Sequence, residues 1–282
     1  SIQTKLGALR TAATALAACG GAQPSAEPTA AATTAPAAEA TSAPAMAAIT
    51  RGGTLRVGMK VQAVDHPARF SWTEAANAFR HVFEYLTETD ENNITHPLLL
   101  ESWEASDDLK TWTLNLRKGI MWTNGDELVA DHVVYNFNEW LNPDTGSSIL
   151  GLWEGFLTPE GIQKVDSHTI QLNLAKPKLD VPENLYHYPA LIMHPSFDGD
   201  VSSGNNPQTG PYKLIEYVTG ERARLERRTD YWQNGEDGQP LPYLDAIEFL
   251  SLGDDQTAYV AAMQTGSIHT MYEPSPSTYQ AL

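Results

Sequence analysis

The hydrophobic and polar positions of the chain follow two different periods, and each period predicts one kind of element. Alternation of apolar and polar residues over short runs predicts half-buried β-strands. Turn residues such as Ser106-Asp107-Asp108 and Thr219-Gly220 separate some of these runs and predict hairpins. The predicted strands and hairpins are residues 52–59, 102–119, 166–177, 209–232 and 244–252.

Three other segments have apolar residues three and four positions apart, the spacing of an amphipathic helix. They are residues 77–86, 131–141 and 255–268. The clearest is 131–141, where Val133, Phe137 and Trp140 form one stripe and Pro143 follows the end. Strands and helices mix without strict alternation. The pattern therefore predicts a mixed α/β, or α+β, fold with more than one sheet.

The first fifty residues follow neither period. Lys5 and Arg10 precede a short apolar stretch, Leu-Ala-Ala, that ends at Cys19, the only cysteine. This order predicts a secretory signal over residues 1–19, with Cys19 at its cleavage site. Residues 20–50 are rich in Ala, Thr and Pro and cannot bury enough apolar surface to order, which predicts a disordered linker. The alternative is an Ala-rich disordered tail that happens to contain a cysteine.

Charge and hydropathy exclude several classes of partner. The net charge is −17, which argues against nucleic acid and against anionic membrane surfaces. No apolar run approaches the ~18 residues of a membrane span. Seven tryptophans and eleven tyrosines suit a packed core or an aromatic cleft. The spacing of Trp103, Trp112, Trp122 and Trp140 favours the core.

Several of these segments together resemble one family. They are GGTLRVG (52–58) and the segments 98–143, 165–177, 209–232 and 241–268. Their order is similar to that of the extracytoplasmic solute-binding proteins of family 5, the dipeptide-, oligopeptide- and nickel-binding components of ABC importers. Leu-Ala-Ala-Cys likewise resembles a bacterial lipobox, in which the cysteine carries a lipid. One departure is Val129, where the family usually has a helix-capping Thr; Asp131 is the expected substitute.

The resemblance implies a fold and a domain organisation. The expected fold is a type II periplasmic-binding-protein lobe with an inserted subdomain. Residues 51–75 and 190–282 would form part of the first ligand-binding lobe, and residues 76–189 the insertion. Relatives are about twice as long, so the second lobe is expected beyond Leu282.

The resemblance also implies a function: a non-enzymatic, substrate-binding lipoprotein held outside the cytoplasm by a lipid on Cys19. As a monomer it would capture a peptide or similar solute between closing lobes and deliver it to a membrane permease. Nickel complexes, opines and oligosaccharides are alternative ligands. Alternative functions are a surface module for signalling or scaffolding and, less favoured, a secreted hydrolase.

Ligand contacts are expected just after the first predicted strand. Residues 59–62 correspond to part of the cleft edge and would act mainly through backbone groups. Phe70 and Trp72 lie in the following loop and are candidates for lining the cleft. The candidate binding residues are thus Met59, Lys60, Val61, Gln62, Phe70 and Trp72.

Other chemistry finds little support. The eight histidines include no HxH or HExxH motif, and His187 and His194 are separated by Pro189, so no metal or other cofactor is predicted. There is no GxSxG motif, and no catalytic residue is assigned. Residues 209–212, Thr-Gly-Pro-Tyr, are interpreted as a structural turn. The basic run 222–228 is interpreted as a solvated strand face.

Overall fold

Eleven strands and six α-helices lie within residues 49–281, the part of the chain that the computed structural model describes. The strands are β1 (Thr54–Gly58), β2 (Thr87–Thr89), β3 (Thr95–Pro97), β4 (Leu100–Ala105), β5 (Thr111–Leu116), β6 (Ile162–Lys164), β7 (Thr169–Asn173), β8 (Tyr212–Val218), β9 (Arg222–Arg227), β10 (Ala246–Leu250) and β11 (Thr270–Met271). The helices are α1 (Thr73–Phe79), α2 (Ala130–Leu141), α3 (Leu150–Trp153), α4 (Val181–Asn184), α5 (Gln256–Gln264) and α6 (Pro276–Ala281).

The larger sheet has five strands in the order β11-β1-β10-β9-β8. β1 runs parallel to both of its neighbours, with Thr54 opposite Ala246 and Val57 opposite Thr270. β8, β9 and β10 form antiparallel pairs. From β10 the chain passes through α5 and returns as β11 on the far side of β1. This crossover aligns the carboxyl ends of three strands at one edge.

A second sheet of four antiparallel strands has the order β4-β5-β7-β6. Trp112, Leu114 and Leu116 alternate along β5 and bury one face, while the residues between them are half-buried. α2 packs against β6 and β7 and presents Val133 and Phe137 to the core. β2 and β3 form a separate two-stranded ribbon.

Most elements predicted from periodicity are confirmed. Both hairpins are present, as β4-β5 and β8-β9, and the helix predicted at 131–141 is α2. Trp112, Trp122 and Trp140 are buried as expected, and Trp103 is partly buried against the same core.

The helix predicted at 77–86 is wrong. The helix there is α1, which ends at Phe79, and the following residues are not helical although Val82, Phe83 and Leu86 are buried. The N–H groups of Val82 and Phe83 still donate to the Phe79 carbonyl, but the carbonyl groups of the segment accept from distant residues: the N–H of Gly210 donates to the Val82 carbonyl (2.9 Å). The apolar residues of this segment are spaced as in a helix because tertiary contacts bury them, and not because the backbone is helical.

Two further interpretations change. Arg228, at the end of the basic run, is not solvated: it is buried and donates to the carbonyls of Gln208 (3.1 Å) and Gly210 (3.2 Å). These carbonyls need a donor inside the fold, which the guanidinium supplies. Asp131 does not cap α2. Its carboxylate binds Lys164 (2.6 Å), and the N-cap Val129 makes no side-chain capping bond.

The apolar core is continuous across the two larger sheets. One cluster of buried residues includes Leu225 and Phe249 of the larger sheet and Leu114 and Ile170 of the smaller one. Residues 49–281 lie within one compact unit. A boundary between a lobe (51–75 and 190–282) and an insertion (76–189) therefore stays a prediction.

The predicted signal (1–19), nearly all of the predicted linker (20–50) and the proposed lipidation residue Cys19 lie outside the described residues. Within residues 49–281, no helix is both long and apolar enough to cross a bilayer.

Candidate functional site

A cavity of about 240 Å³ opens at the carboxyl ends of the three parallel strands. Its walls come from residues 58–60 at the end of β1, from Gly253, Asp254 and Gln256 after β10, and from residues 271–273 at β11. Glu74 of α1 and Tyr259 of α5 complete it. In open α/β sheets, ligands bind at the carboxyl ends of the strands, beside a change in strand order. The cavity occupies this position, next to the crossover from β10 to β11.

Close packing of α5 on β1 shapes one wall of the cavity. A Cβ atom at Gly58 would lie 2.7 Å from the ring of Tyr259 and 2.6 Å from Ile268, so only glycine fits there. The Tyr259 hydroxyl accepts a hydrogen bond from the N–H of Leu252 (3.0 Å) and donates one to the Gly253 carbonyl (3.2 Å). The ring is therefore held in place against the end of β1.

The opposite wall joins β11 to α1. The N–H of Tyr272 donates to the Gly58 carbonyl (2.9 Å), which continues the parallel pairing beyond β11. The Tyr272 hydroxyl lies 2.8 Å from Thr73 Oγ1 in the first turn of α1. Glu273 follows with a φ of 47°, a left-handed conformation that is uncommon for a residue other than glycine.

An ion pair lies at the mouth of the cavity. Lys60 Nζ is 2.6 Å from Asp254 Oδ1, and both side chains are exposed to solvent by more than half. The hydrogen bond with Asp254 raises the pKa of Lys60, and the same bond lowers the pKa of Asp254. Solvent screens such a pair, so it contributes little to folding and can exchange partners readily.

The structure brings together only part of the predicted site. Met59 and Lys60 line the cavity. Val61 is buried, and the carbonyls of Val61 and Gln62 accept hydrogen bonds from the Gly220 N–H (2.7 Å) and the Tyr217 hydroxyl (2.6 Å).

The two aromatic candidates lie elsewhere. The Phe70 ring is in the core, 5.7 Å from that of Phe79, and is not part of the cavity wall. Trp72 is 60% exposed at the N-terminus of α1, two residues before Glu74, and does not line the cavity. A role for Val61, Gln62, Phe70 or Trp72 in binding stays a prediction.

The sequence interpretation missed the other walls, including Glu74, Asp254, Tyr259 and Tyr272. A signal existed: Gly253 and Asp254 follow a predicted strand directly, as binding residues in parallel sheets do. Using that signal requires knowing that β10 runs parallel to β1. This pairing cannot be predicted from a local sequence pattern, because a long stretch of chain separates the two strands.

A second polar cluster lies in the interior, away from the cavity. The Tyr231 hydroxyl donates to Glu84 Oε1 (2.6 Å), and the Trp232 indole N–H donates to the same oxygen (3.2 Å). Burial raises the pKa of Glu84 to about 7, although these bonds and the nearby Arg228 act in the opposite direction. Since Glu84 joins the 80–86 segment to residues 228–232, its role is structural.

Metal ligation has no geometric support in the described residues. Residues 49–281 contain no group of three or more His, Cys, Asp or Glu side chains placed to hold a metal ion. The rings of His132 and His194 lie 4.7 Å apart. Each Nδ1 already accepts a hydrogen bond, from the Trp122 indole N–H (3.0 Å) and from the Ser196 N–H (3.1 Å), and His194 Nε2 lies 3.1 Å from Asp126 Oδ2. The absence of a metal or cofactor stays an expectation.

Comparison with known proteins finds a matching family and several relatives. A family model described as bacterial extracellular solute-binding proteins, family 5 middle, matches residues 95–282. The periplasmic oligopeptide-binding protein OppA of Escherichia coli is 30% identical over 71% of this chain and 39% of its own length. The dipeptide-binding protein DppE of Bacillus subtilis is 27% identical over 75% of this chain and 40% of its own.

Solved structures show the same fold. The ABC transporter-associated periplasmic binding protein DppA from Helicobacter pylori, in complex with the peptide STSA, superposes with a TM-score of 0.71. Its sequence identity is 21%, and the match covers 83% of this chain and 49% of that one. This chain thus spans less than half the length of these relatives. The match over 95–282 shows that the chain belongs to the bacterial extracellular solute-binding proteins of family 5.

Proposed function

We propose that this chain captures a peptide or similar small solute outside the cytoplasm for an ABC importer. The observation that carries the proposal is the cavity at the carboxyl ends of β1, β10 and β11. It lies where ligands bind in open α/β sheets, in a chain of family 5. Proteins of this family bind solutes and are not enzymes, so capture rather than turnover is its activity.

The walls of the cavity offer both apolar and charged groups for a ligand to contact. Tyr272 and Met271 supply apolar surface, and Lys60 and Asp254 supply opposite charges at the mouth. Polar groups placed in this way fix the orientation of a ligand. The residues after β1 add backbone groups, which extended peptides use in strand-like binding.

Delivery and anchoring complete the proposal. The binding protein would present the solute to a membrane permease, as a monomer tethered by a lipid on Cys19. The Leu-Ala-Ala-Cys sequence supports the anchor. An acyl-anchored protein stays at a membrane surface without a spanning helix.

Filling the cavity tests the binding site. We expect Met271→Trp to reduce retention of a mixed tripeptide library in native mass spectrometry, because the larger ring occupies the ligand space. Ile215→Trp is the matched control: Ile215 is 52% exposed on β8 and does not line the cavity. Equal retention by both variants, with unchanged circular dichroism, contradicts the proposed site.

The anchor has its own test. The intact mass of the protein purified from its native membrane should show acyl chains on an N-terminal Cys19, and Cys19→Ser should release the protein from membranes. An unmodified chain that begins upstream of Cys19 contradicts lipid anchoring and leaves the binding site untouched.

A further inference from the structure

The side chains around the cavity carry unequal charge. Three carboxylates line it, on Glu74, Asp254 and Glu273, against the single ammonium of Lys60. The three acids come from three different parts of the fold: α1, the loop after β10 and the segment after β11. Their meeting is therefore a product of the sheet topology and not of a local acidic run in the sequence.

Lys60 forms a close ion pair with only one of the three, although the charge of Glu74 also contributes to its raised pKa. Its ammonium lies 2.6 Å from Asp254, and no other ion pair links it to a carboxylate within residues 49–281. Neither Glu74 nor Glu273 has an ion-pair partner in the described part of the chain. Glu74 is only half-exposed, so its negative charge is less screened than that of a fully solvated side chain.

Two tyrosines and two methionines share the wall with these charges. Tyr272 is partly exposed and presents a π-system, which attracts cations within about 6 Å of the ring centre, whereas Tyr259 is only 5% exposed and shapes the wall. An incoming cation finds carboxylate oxygens and an aromatic face together. An incoming anion has only Lys60, which must first leave Asp254, and it then lies beside two further carboxylates.

We propose that this cavity selects ligands with a positively charged side chain, an ammonium or guanidinium group held between Glu74 and the ring of Tyr272. The inference rests on the proposed function and specifies its ligand class. Lys60 then acts as an internal counterion, which keeps Asp254 neutralised while the cavity is empty.

Methionine-methyl NMR of the full chain tests the proposed binding function and the charge preference separately. Of the six methionines, Met59 and Met271 line the cavity, while Met121, Met193 and Met263 do not. The probes are the tripeptides Ala-Lys-Ala, Ala-Ala-Ala and Ala-Glu-Ala, which share one backbone and differ only in central charge. Titration into the millimolar range detects weak binding as shifts of the two cavity methyls.

We expect Ala-Lys-Ala to bind about 5-fold more tightly than Ala-Glu-Ala at low ionic strength, with the ratio falling as salt is added. Glu74→Gln should reduce that ratio about 2-fold through the loss of one carboxylate. Glu91→Gln, at an exposed residue outside the cavity, should leave it unchanged.

Three results overturn the inference, in distinguishable ways. If no tripeptide shifts Met59 or Met271, the proposed function falls and the charge preference falls with it. If Ala-Glu-Ala binds as tightly as Ala-Lys-Ala, only the charge preference is wrong. If the preference survives in Glu74→Gln at full strength, Glu74 is not the selecting residue.

Discussion

Glu84 shows how one buried carboxyl makes stability depend on pH. Its pKa is raised from an ordinary 4.5 to about 7 by burial. Between these two values the folded protein holds a proton that the unfolded chain has released. The contribution of Glu84 to the free energy of unfolding is therefore greatest below pH 4.5 and is lost as the pH rises through 7.

We expect Glu84→Gln to remove this dependence, because the amide stays neutral and its oxygen still accepts from Tyr231. The difference in unfolding free energy between wild type and variant should change by up to ~3 kcal/mol from pH 4.5 to 8, with wild type losing stability. Urea denaturation at four pH values measures it. Histidines with lowered pKa, such as His81 and His132, act in the opposite sense but cancel in the difference.

The exposed Glu91→Gln serves as the control, and its curve should run parallel to that of wild type. Parallel curves for wild type and Glu84→Gln would contradict a raised pKa for Glu84.

Gly210 is a second single residue on which the stability of the protein depends strongly. A Cβ atom there would lie 2.6 Å from the carbonyl oxygen of Val82, a backbone atom that cannot turn away. We expect Gly210→Ala to destabilise the protein by ~2–4 kcal/mol, since the 80–86 segment must shift. Gly151→Ala is the control, in helix α3 with open space around the new methyl; it should be neutral or slightly stabilising. Thermal melts compare the two, and similar melting temperatures contradict the steric argument.

At the scale of elements, α2 begins without a capping side chain. Val129 occupies the N-cap with an extended backbone, so its shape already suits a Thr hydroxyl facing the first turn. We expect Val129→Thr to stabilise the protein by ~0.5–1 kcal/mol. The same exchange at Val133, the buried fourth residue of α2, should destabilise it by ~1–2 kcal/mol because the hydroxyl enters an apolar core. Chemical denaturation measures the change in unfolding free energy for both variants. If the two exchanges change stability in the same direction, the capping interpretation is contradicted.

Elements with local causes could be predicted from sequence. The β4-β5 hairpin has its turn residues and alternation within one short segment, and α2 has its apolar stripe and a following Pro143. The 80–86 segment could not be predicted, because its backbone partners lie near residues 98 and 210. The same distinction holds for the candidate site. Met59 and Lys60 could be predicted because they directly follow the β1 pattern, whereas Tyr259 and Glu273 reach the cavity only through the parallel pairing of distant strands.

At the scale of the whole molecule, the shared core links the two larger sheets energetically. We expect residues 49–281 to unfold in one cooperative transition, seen equally by tryptophan fluorescence and far-ultraviolet circular dichroism. Leu114→Ala, fully buried in β5, should lower the stability by ~3 kcal/mol and keep the transition single. A biphasic curve would instead show that residues 76–189 unfold as an independent domain.

The pairing of β1 with β10 also sets an order of events during synthesis. β1 emerges from the ribosome early, yet its partner in the sheet is made only after the whole of the smaller sheet, β4 to β7, has emerged. Contacts between distant residues form late, because the long intervening loop must close first. β1, which Met59 and Lys60 directly follow, is thus translated well before β10 and can pair with it only afterwards. Until Leu250 is translated, the nascent chain has half a binding site and an unpaired strand for a chaperone to protect.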